Sequence, residues 1–580
     1  MNGNEPLRGV GRSAVARLRS LPALPRGLVL VTGAALALQL LWLRLFAGPG
    51  GDLAAQDAWT GFALAHPQSA YNLSWYGGMH PASYSLMAPY VMGLIGVRVA
   101  MLVAGTVSAA LVVVVVHRCS GVIPRPIWAG LYAAVALLGN ALSGRVTFAL
   151  GVALGLGCLT VVFAWPVDPA ARTQQWLRHS AAVVLAALAT AASPVAGLFL
   201  GLVAAALWLR RRRWEAVAVG LPPMLVVVAT ALLFPFSGVQ PFPIGNAIVP
   251  IVLSVVTWAL LPSEWRLVRA CCLIYGVAVI AVWLVPTPIG TNVVRLSLLF
   301  GGVTLVAAAC GRWWTSPVSL RWGRRVGRRA LAVAIVVATG WQVVVVGQDL
   351  SGAEAAGRLD TDVRPLVDQL DARGAALGRV EVVPTESHAE ASALAPYVNL
   401  ARGWNRQADV ARHPLFYRDS APFGPAEYRR WLRRWAVRFV VLPASEPDYA
   451  GVRESELVRS GLPFLHEVWA DPTWTLYEVE RPVSIASAPA TVQGWDAAGV
   501  TVQVPVAGST VLRIAWSPWL SIVDPDGRPL DRSALAGSCI DALPVGAARR
   551  VSWVVLRVNR PGSYHLAAPY ALPRGTPCED

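Results

Sequence analysis

Between residues 27 and 347 the chain is a succession of long apolar runs, each bounded by arginine, proline or a short polar segment. A helix needs about 20 mostly apolar residues to cross roughly 30 Å of hydrocarbon. The pattern predicts eleven spans, at 27–47, 82–97, 99–117, 126–143, 146–164, 180–209, 215–234, 245–262, 268–286, 293–310 and 330–347. The second is short, follows Pro81 and contains Pro89; the sixth is interrupted by Ser193-Pro194, as a kink or as the junction of two half-helices. The run after Arg26 lacks a small-residue cleavage site and reads as a retained first span.

From about residue 350 the pattern becomes that of a globular region. RLDTDVRPLVDQLDARGA reads as an amphipathic helix, RVEVVPT as a strand, YRRWLRRWAVRFVVLP as a helix running into a buried strand, and TWTLYEVE as a further strand. Helices alternating with strands predict a small α/β layer over 355–480. After it, VTVQVPVAGSTVLRIAWSPWLSIVDPDGRPL and RRVSWVVLRVNRPGSYHL alternate apolar and polar residues around Gly, Asp and Pro turns, which predicts a β-sandwich over about 490–580. The expected division is a tail at 1–26, a membrane domain at 27–347 with an outer loop at 48–81, an α/β region at 348–480 and a sandwich at 481–580.

Composition agrees: 55% of residues are hydrophobic and 14% charged, against about a quarter charged in soluble domains. All basic residues are Arg, which together with the Ala, Val and Gly content suggests a GC-rich bacterial genome. Cytoplasmic loops retain positive charge. Arg8, Arg12, Arg17, Arg19 and Arg26 therefore place the N-terminus inside, and Arg210 to Arg213, Arg266, Arg269 and the cluster Arg312, Arg321, Arg324, Arg325, Arg328 and Arg329 fall on the same side if there are eleven spans. The 48–81, 235–244 and 287–292 loops, and everything after about residue 348, are then extracytoplasmic. The net charge of +16 reads as a topology signal, not as a nucleic-acid footprint. Cys119, Cys158, Cys271, Cys272 and Cys310 lie in or beside spans, and the exported part holds only Cys539 and Cys578, which predicts one disulfide. No Cys/His spacing supports a structural zinc site.

Chemistry concentrates after the first span. Asp52, Gln56 and Asp57 lie at the mouth of that helix, and YNLSWYGGMHPASYS follows with Asn72, Trp75, Tyr76, Gly77-Gly78 and His80. Carboxylates at the lipid–water boundary beside amides and aromatic rings suit a polar group presented from the bilayer. The bland alternative for Asp52 is a helix cap; for His80, held extended before Pro81, it is a hydrogen-bonded structural residue. Asn292 and Arg295 lie at the outer end of the tenth span, where Arg pairs with a lipid phosphate or snorkels to the interface. Tyr397 to Tyr417 combines Trp404, Asn405, Arg406, Gln407, Asp409 and His413 between aromatic ends, a composition suited to sugar contacts or to a surface loop packed on the membrane domain.

A multi-span chain with an acidic first outer loop just after the first helix, aromatic material in that loop and an exported mixed domain resembles the GT-C class of polyprenyl-phosphate-sugar-dependent glycosyltransferases. The likeness is strongest to actinobacterial cell-envelope mannosyl- and arabinosyltransferases. It covers the architecture and carries one position, the first-loop acid, onto Asp52 with Asp57 as the alternative. The resemblance implies a polyprenyl-phosphate sugar donor, a cell-envelope glycan or lipid acceptor, and inverting transfer with Asp52 as general base. It further implies Arg295 against the leaving phosphate, and His80 and Asn292 orienting phosphate or sugar. The loop lacks the adjacent acidic pair of some members, which leaves a divalent metal open. A transporter or lipid flippase, and an inactive scaffold of the same fold that binds envelope glycan, are the rival readings.

Overall fold

The computed structural model describes residues 26–48, 52–118, 123–166, 171–311, 316–359, 363–418, 422–543 and 551–579. Most of the predicted tail, with Arg8, Arg12, Arg17 and Arg19, lies outside the described residues, as do Cys119 and Arg312. The helices of the first part are α1 (Arg26–Leu45), α2 (Asp52–Ala65), α3 (Ala88–Ile95), α4 (Val97–Arg118), α5 (Pro126–Leu142), α6 (Val146–Phe163), α7 (Arg172–Ala192), α8 (Pro194–Leu209), α9 (Arg213–Leu233), α10 (Ile244–Leu260), α11 (Arg266–Leu284), α12 (Arg295–Ala309), α13 (Pro317–Trp322) and α14 (Arg324–Leu359). Among the described residues seven apolar helices are long enough to cross a membrane: α1, α4, α6, α9, α11, the run Gly290–Ala309 that contains α12, and the Arg324–Ser351 part of α14. Helices α5, α8 and α10 are shorter but equally apolar. Leu30, Leu41, Val107, Val228, Val277 and Val336 are exposed on these helices, a distribution suited to hydrocarbon and not to water. This is a multi-pass membrane protein.

Two predicted spans change. Residues 82–97 do not cross: a turn at Pro81–Ser83 leads to α3, whose eight residues reach only about 12 Å. Ser85 starts α3, accepting from Ala88 N at 3.0 Å and donating to Ala192 O at 2.9 Å, and Gly96, at φ 88°, turns the chain into α4. Residues 180–209 form two helices instead of one. Ser193 is extended between them, and Thr190 packs against Gly197, where a Cβ would meet it at 2.6 Å, so α8 folds back along α7. Ala189 and Leu200 accordingly lie against the same Gly155 of α6.

The two changes offset each other beyond residue 209 but move the turns in between. The 143–145 turn, inside on the eleven-span reading, instead meets Asp52. Ile123, beyond the end of α4, packs with Trp265 and Cys310 at the end that carries Arg210 and Arg266. Arg118 and Arg125 flank that loop and join the basic end.

Helix α14 has 36 residues, about 54 Å, and runs on through residue 348, so one continuous helix leads out of the bundle. The region after it holds α15 (Val363–Ala372), α16 (Ala389–Leu394), α17 (Arg406–Arg412), α18 (Pro425–Arg434), α19 (Val452–Arg459) and a sheet of order β1-β2-β4-β3. Strands β1 (Arg379–Val382) and β2 (Val437–Pro443) are parallel, whereas β3 (Leu465–Ala470) and β4 (Trp474–Val479) join antiparallel. Helix α15 packs Leu366 and Leu370 onto one face with Val380 and Phe439, and α18 packs Trp431 and Leu432 onto the other with Val440 and Leu442.

The final region is two facing sheets, β7-β10-β9 and β5-β6-β11-β8, formed by β5 (Thr491–Trp495), β6 (Gly499–Val504), β7 (Gly508–Ala515), β8 (Ser521–Val523), β9 (Cys539–Ala542), β10 (Trp553–Val558) and β11 (Gly562–Ala567). Val502, Leu512, Ile522 and Leu556 fill the space between them, and Cys539 and Cys578 are joined as a disulfide.

The outer loop binds these parts together. Ala70 N donates to Ala568 O (2.7 Å), Leu73 N to Ala497 O (2.7 Å), Leu400 N to Ser74 O (2.7 Å) and Ala515 N to Gly77 O (2.8 Å). Gly78 (φ 130°) admits the Tyr71 ring where a Cβ would stand at 2.1 Å. The close approach at Gly77-Gly78 serves this packing.

Candidate functional site at the outer mouth

Asp52 opens helix α2, and Gln56 follows it by one turn on the same side. Asp52 Oδ2 lies 3.5 Å from Arg145 Nε and 3.9 Å from Arg295 Nη2. Arg145 Nη2 donates to Asp349 Oδ2 at 2.8 Å, and Ser143 Oγ donates to the same oxygen at 2.5 Å. Four elements converge here: the start of α2, the α5–α6 turn, the start of α12 and the part of α14 that carries Asp349. The turn comes close because Gly144 has no side chain; at φ +70° a Cβ would stand 2.8 Å from Leu53 N. Arg295, at the start of α12, lies over the Phe148 ring at 5.4 Å.

Aromatic rings roof this charge cluster. Gln56 Nε2 donates to Tyr84 OH. Tyr84 stacks on Trp59 (5.8 Å, 18°) and meets Trp404 edge-on at 6.5 Å. Gln56 Oε1 and Trp59 Nε1 are buried without a hydrogen-bond partner among the described residues. An unpaired buried donor and acceptor are expensive unless a ligand satisfies them. Asp52 keeps 28% of its side-chain surface accessible, yet it is densely surrounded by protein. Desolvation pushes its carboxyl above the ordinary carboxylate range, Arg145 and Arg295 pull it back, and Asp349 adds to the rise. The arrangement can accept a proton at Asp52 and hold an anion at two guanidiniums.

Of the residues expected at the site, the structure thus assembles Asp52, Gln56 and Arg295, with Trp404 at the roof. Asn292 is half-buried on the turn Gly290–Val294 that leads into Arg295. The others are placed elsewhere. Asp57 sits on a different side of α2, paired with Arg98. Trp75 is buried and donates from Nε1 to Ala391 O (2.9 Å), and Tyr76 OH donates to Gly403 O (2.5 Å) and Asn405 O (2.9 Å), so both rings anchor the α/β region. His80 is buried against Tyr71 and Phe234, with Nδ1 on Ala70 O at 2.9 Å; burial pushes it down to about 4. It is a neutral structural residue. Asn405 caps α17 by accepting from Ala408 N at 3.0 Å, and Arg406 is committed to Asp448 at 2.7 and 2.8 Å. The amide and guanidinium expected to hold sugar are therefore engaged within the protein.

Sequence reasoning missed Tyr84, Arg145 and Asp349. A signal existed for the charged pair: Arg145 is the lone charge between the fourth and fifth predicted spans, and Asp349 is the first acid after the last span. Charges so near hydrocarbon call for partners. Their meeting depended on the direction of each helix.

The residues present do not fit a resident divalent metal. Among the described residues no group of three or more His, Cys, Asp or Glu has metal-holding geometry, and at the mouth both carboxylates already face guanidiniums.

Residues 487–580 match a domain of unknown function (DUF8823), and no curated protein matches the chain. Three solved structures are similar to it. The arabinofuranosyltransferase AftD from Mycobacteria shares 14% identity over 84% of this chain with a TM-score of 0.46, and the match spans 41% of that longer protein. The Archaeoglobus fulgidus oligosaccharyltransferase shares 10% identity, covering 72% of this chain and 68% of its own, with a TM-score of 0.41. ArnT from Cupriavidus metallidurans shares 14% identity, covering 80% and 98%, with a TM-score of 0.41. At these scores the likeness is one of general chain course, and the chemistry rests on the site itself.

Proposed function

We propose that the protein is an inverting membrane glycosyltransferase that moves a sugar from a polyprenyl-phosphate donor to a cell-envelope glycan or lipid acceptor at the outer face. The observation that carries this reading is Asp52 held beside Arg145 and Arg295 under an aromatic roof. The acceptor hydroxyl oxygen attacks the anomeric carbon while the bond from that carbon to the phosphate oxygen breaks, its electron pair leaving with the phosphate. Asp52 takes the hydroxyl proton, a role worth about 10²–10⁴-fold in typical enzymes. Arg295 and Arg145 receive the charge that develops on the phosphate. A raised carboxyl suits a base, because a more basic carboxylate pulls harder on the proton.

A second feature supports a lipid-linked donor. An apolar cavity of about 770 Å³ within the bundle is lined at one end by Leu296 and Ser297, next to Arg295, and at the other by Trp265 and Arg266. An isoprenoid tail lying there would bring its phosphate to Arg295. In the topology that goes with this reading, eleven helices cross. The ends bearing Arg118, Arg125, Arg210 to Arg213 and Arg266 face the cytoplasm, where arginine is retained, and the Asp52 mouth and the regions after α14 face outward.

The test is transfer of labelled mannose, arabinose or glucose from decaprenyl-phosphate donors to membrane acceptors by the purified chain. Transfer from one donor, lost in Asp52→Asn, is expected; transfer that survives the substitution would remove Asp52 as base.

A further inference from the structure

Helix α2 has a second working side. Away from Asp52 and Gln56, its residues Ala54, Asp57, Ala58 and Gly61 form one wall of a cleft of about 620 Å³ between the membrane domain and the exported regions. That volume is within the roughly 300–1,000 Å³ of small-molecule sites. The opposite wall comes from the 389–399 segment and the β5–β6 turn.

The cleft is built for hydroxyl groups. Tyr397 is 44% exposed and carries Arg364 at 5.8 Å; Trp495 carries Arg379 at 5.3 Å; both rings line the cleft. Asn399 also lines it and is only 5% exposed. Its side-chain amide can both donate and accept. Asp496 turns one carboxylate oxygen to Ala498 N (2.7 Å) and Gly499 N (2.8 Å), which leaves acceptor capacity on an exposed residue of the rim. Aromatic rings for C–H faces, an amide that both donates and accepts, and carboxylates that accept from hydroxyls form a carbohydrate-type set. The charged lining residues are Asp57, already paired with Arg98, Asp496 and Arg364, so the lining carries no excess positive charge to hold a polyanion.

We propose that this cleft binds a segment of a neutral glycan, separately from the Asp52 site on the other side of α2. The assignment deepens the transferase reading by saying where the body of an acceptor chain lies, and it rests on that reading only for the word acceptor. It also relocates the sugar contacts expected in the 397–417 segment, from Trp404, Asn405 and Arg406 to Tyr397 and Asn399 at its start.

The test uses the full chain in nanodiscs and fluorescent hexasaccharides of mannose, arabinose and glucose, with a hexauronate as anionic control, read by anisotropy. At least one neutral hexasaccharide should bind. Tyr397→Ala, at an exposed ring where folding is not at stake, should weaken it roughly tenfold, and Asn399→Ala should do the same. Asp52→Asn should leave the affinity within about twofold. No binding of any neutral probe at millimolar concentration, unchanged binding in Tyr397→Ala, or tighter binding of the hexauronate would overturn the proposal. Glycan binding retained in a chain that transfers no sugar from any donor would uphold the cleft while defeating the transferase reading.

Discussion

Arg295 and Arg402 carry the same charge and both face carboxylates, but in different ways. Arg402, in the α/β region after α14, is 2% exposed and holds Asp409 with two nitrogens, at 3.1 and 2.7 Å, and Glu454 at 3.0 Å, with the Phe416 ring 4.0 Å from its guanidinium carbon. Its donors are used. Arg295 is 20% exposed and stands 3.9 Å from Asp52, within Coulombic reach but beyond a hydrogen bond. The titration behaviour follows how closely each carboxylate is paired. Burial alone would raise Asp409, but Arg402 and His413 hold it below the ordinary range; at Asp52, and at Glu381 and Glu454 beside Arg402, burial wins. The close Arg402–Asp409 pairing holds a fold, and the looser pairing at Arg295 retains capacity for a ligand.

Breaking the Arg402 cluster should have the largest effect. Arg402→Met strands Asp409, Glu454 and Glu381 in the interior and is expected to destabilise the α/β region by roughly 3–5 kcal/mol, read as a fall in melting temperature. Arg295→Gln should do the reverse, reducing transfer about a hundredfold in kcat with a stability loss under about 1 kcal/mol. Equal stability losses in the two variants would erase the distinction drawn here.

Acidification probes the buried histidines without mutation. His80 and His413 are buried and neutral, and burial pushes them down to about 4 and about 3. Trp431 Nε1 donates to His413 Nδ1 at 2.9 Å, a bond that needs that nitrogen unprotonated. Because the unfolded chain takes up these protons first, near pH 6.5, stability is present above that pH and is lost as pH falls toward 4. A loss of roughly 2–3 kcal/mol for His80 alone is expected between pH 7 and 4.5; a melting temperature that stays flat would contradict neutral burial. A smaller effect is expected at Gly144→Ala, where a side chain at positive φ costs about 1–2 kcal/mol and would push the α5–α6 turn off α2. Transfer should drop more than stability, since Arg145 moves with the turn.

Much of this was readable from the chain, unevenly. Hydropathy located the bundle because lipid-facing helices are apolar all round, and alternation located the sandwich because each of its strands has one buried face. Hydropathy also misled at 82–97: Ala88 and Met92 are apolar because they pack against Trp42, Leu53 and the start of α4, not because they meet lipid. At 180–209 composition did not reveal that Ser193-Pro194 with Gly197 reverses the chain. Asp52 stood out as a carboxylate at the end of a span. Arg145 did not, since its side of the membrane depends on the direction of the helices before it. Asn405 and Arg406 show a different limit: a helix cap or a committed ion pair has the same composition as a sugar contact, and only geometry separates them.

The most direct test of the central claim compares Asp52→Asn with Asp57→Asn in purified chain, measuring sugar transfer from decaprenyl-phosphate donors alongside melting temperature. The account predicts transfer reduced by about 10²–10⁴-fold in Asp52→Asn with unchanged melting, and transfer within about tenfold of wild type in Asp57→Asn. Full transfer by Asp52→Asn, or loss confined to Asp57→Asn, would contradict it.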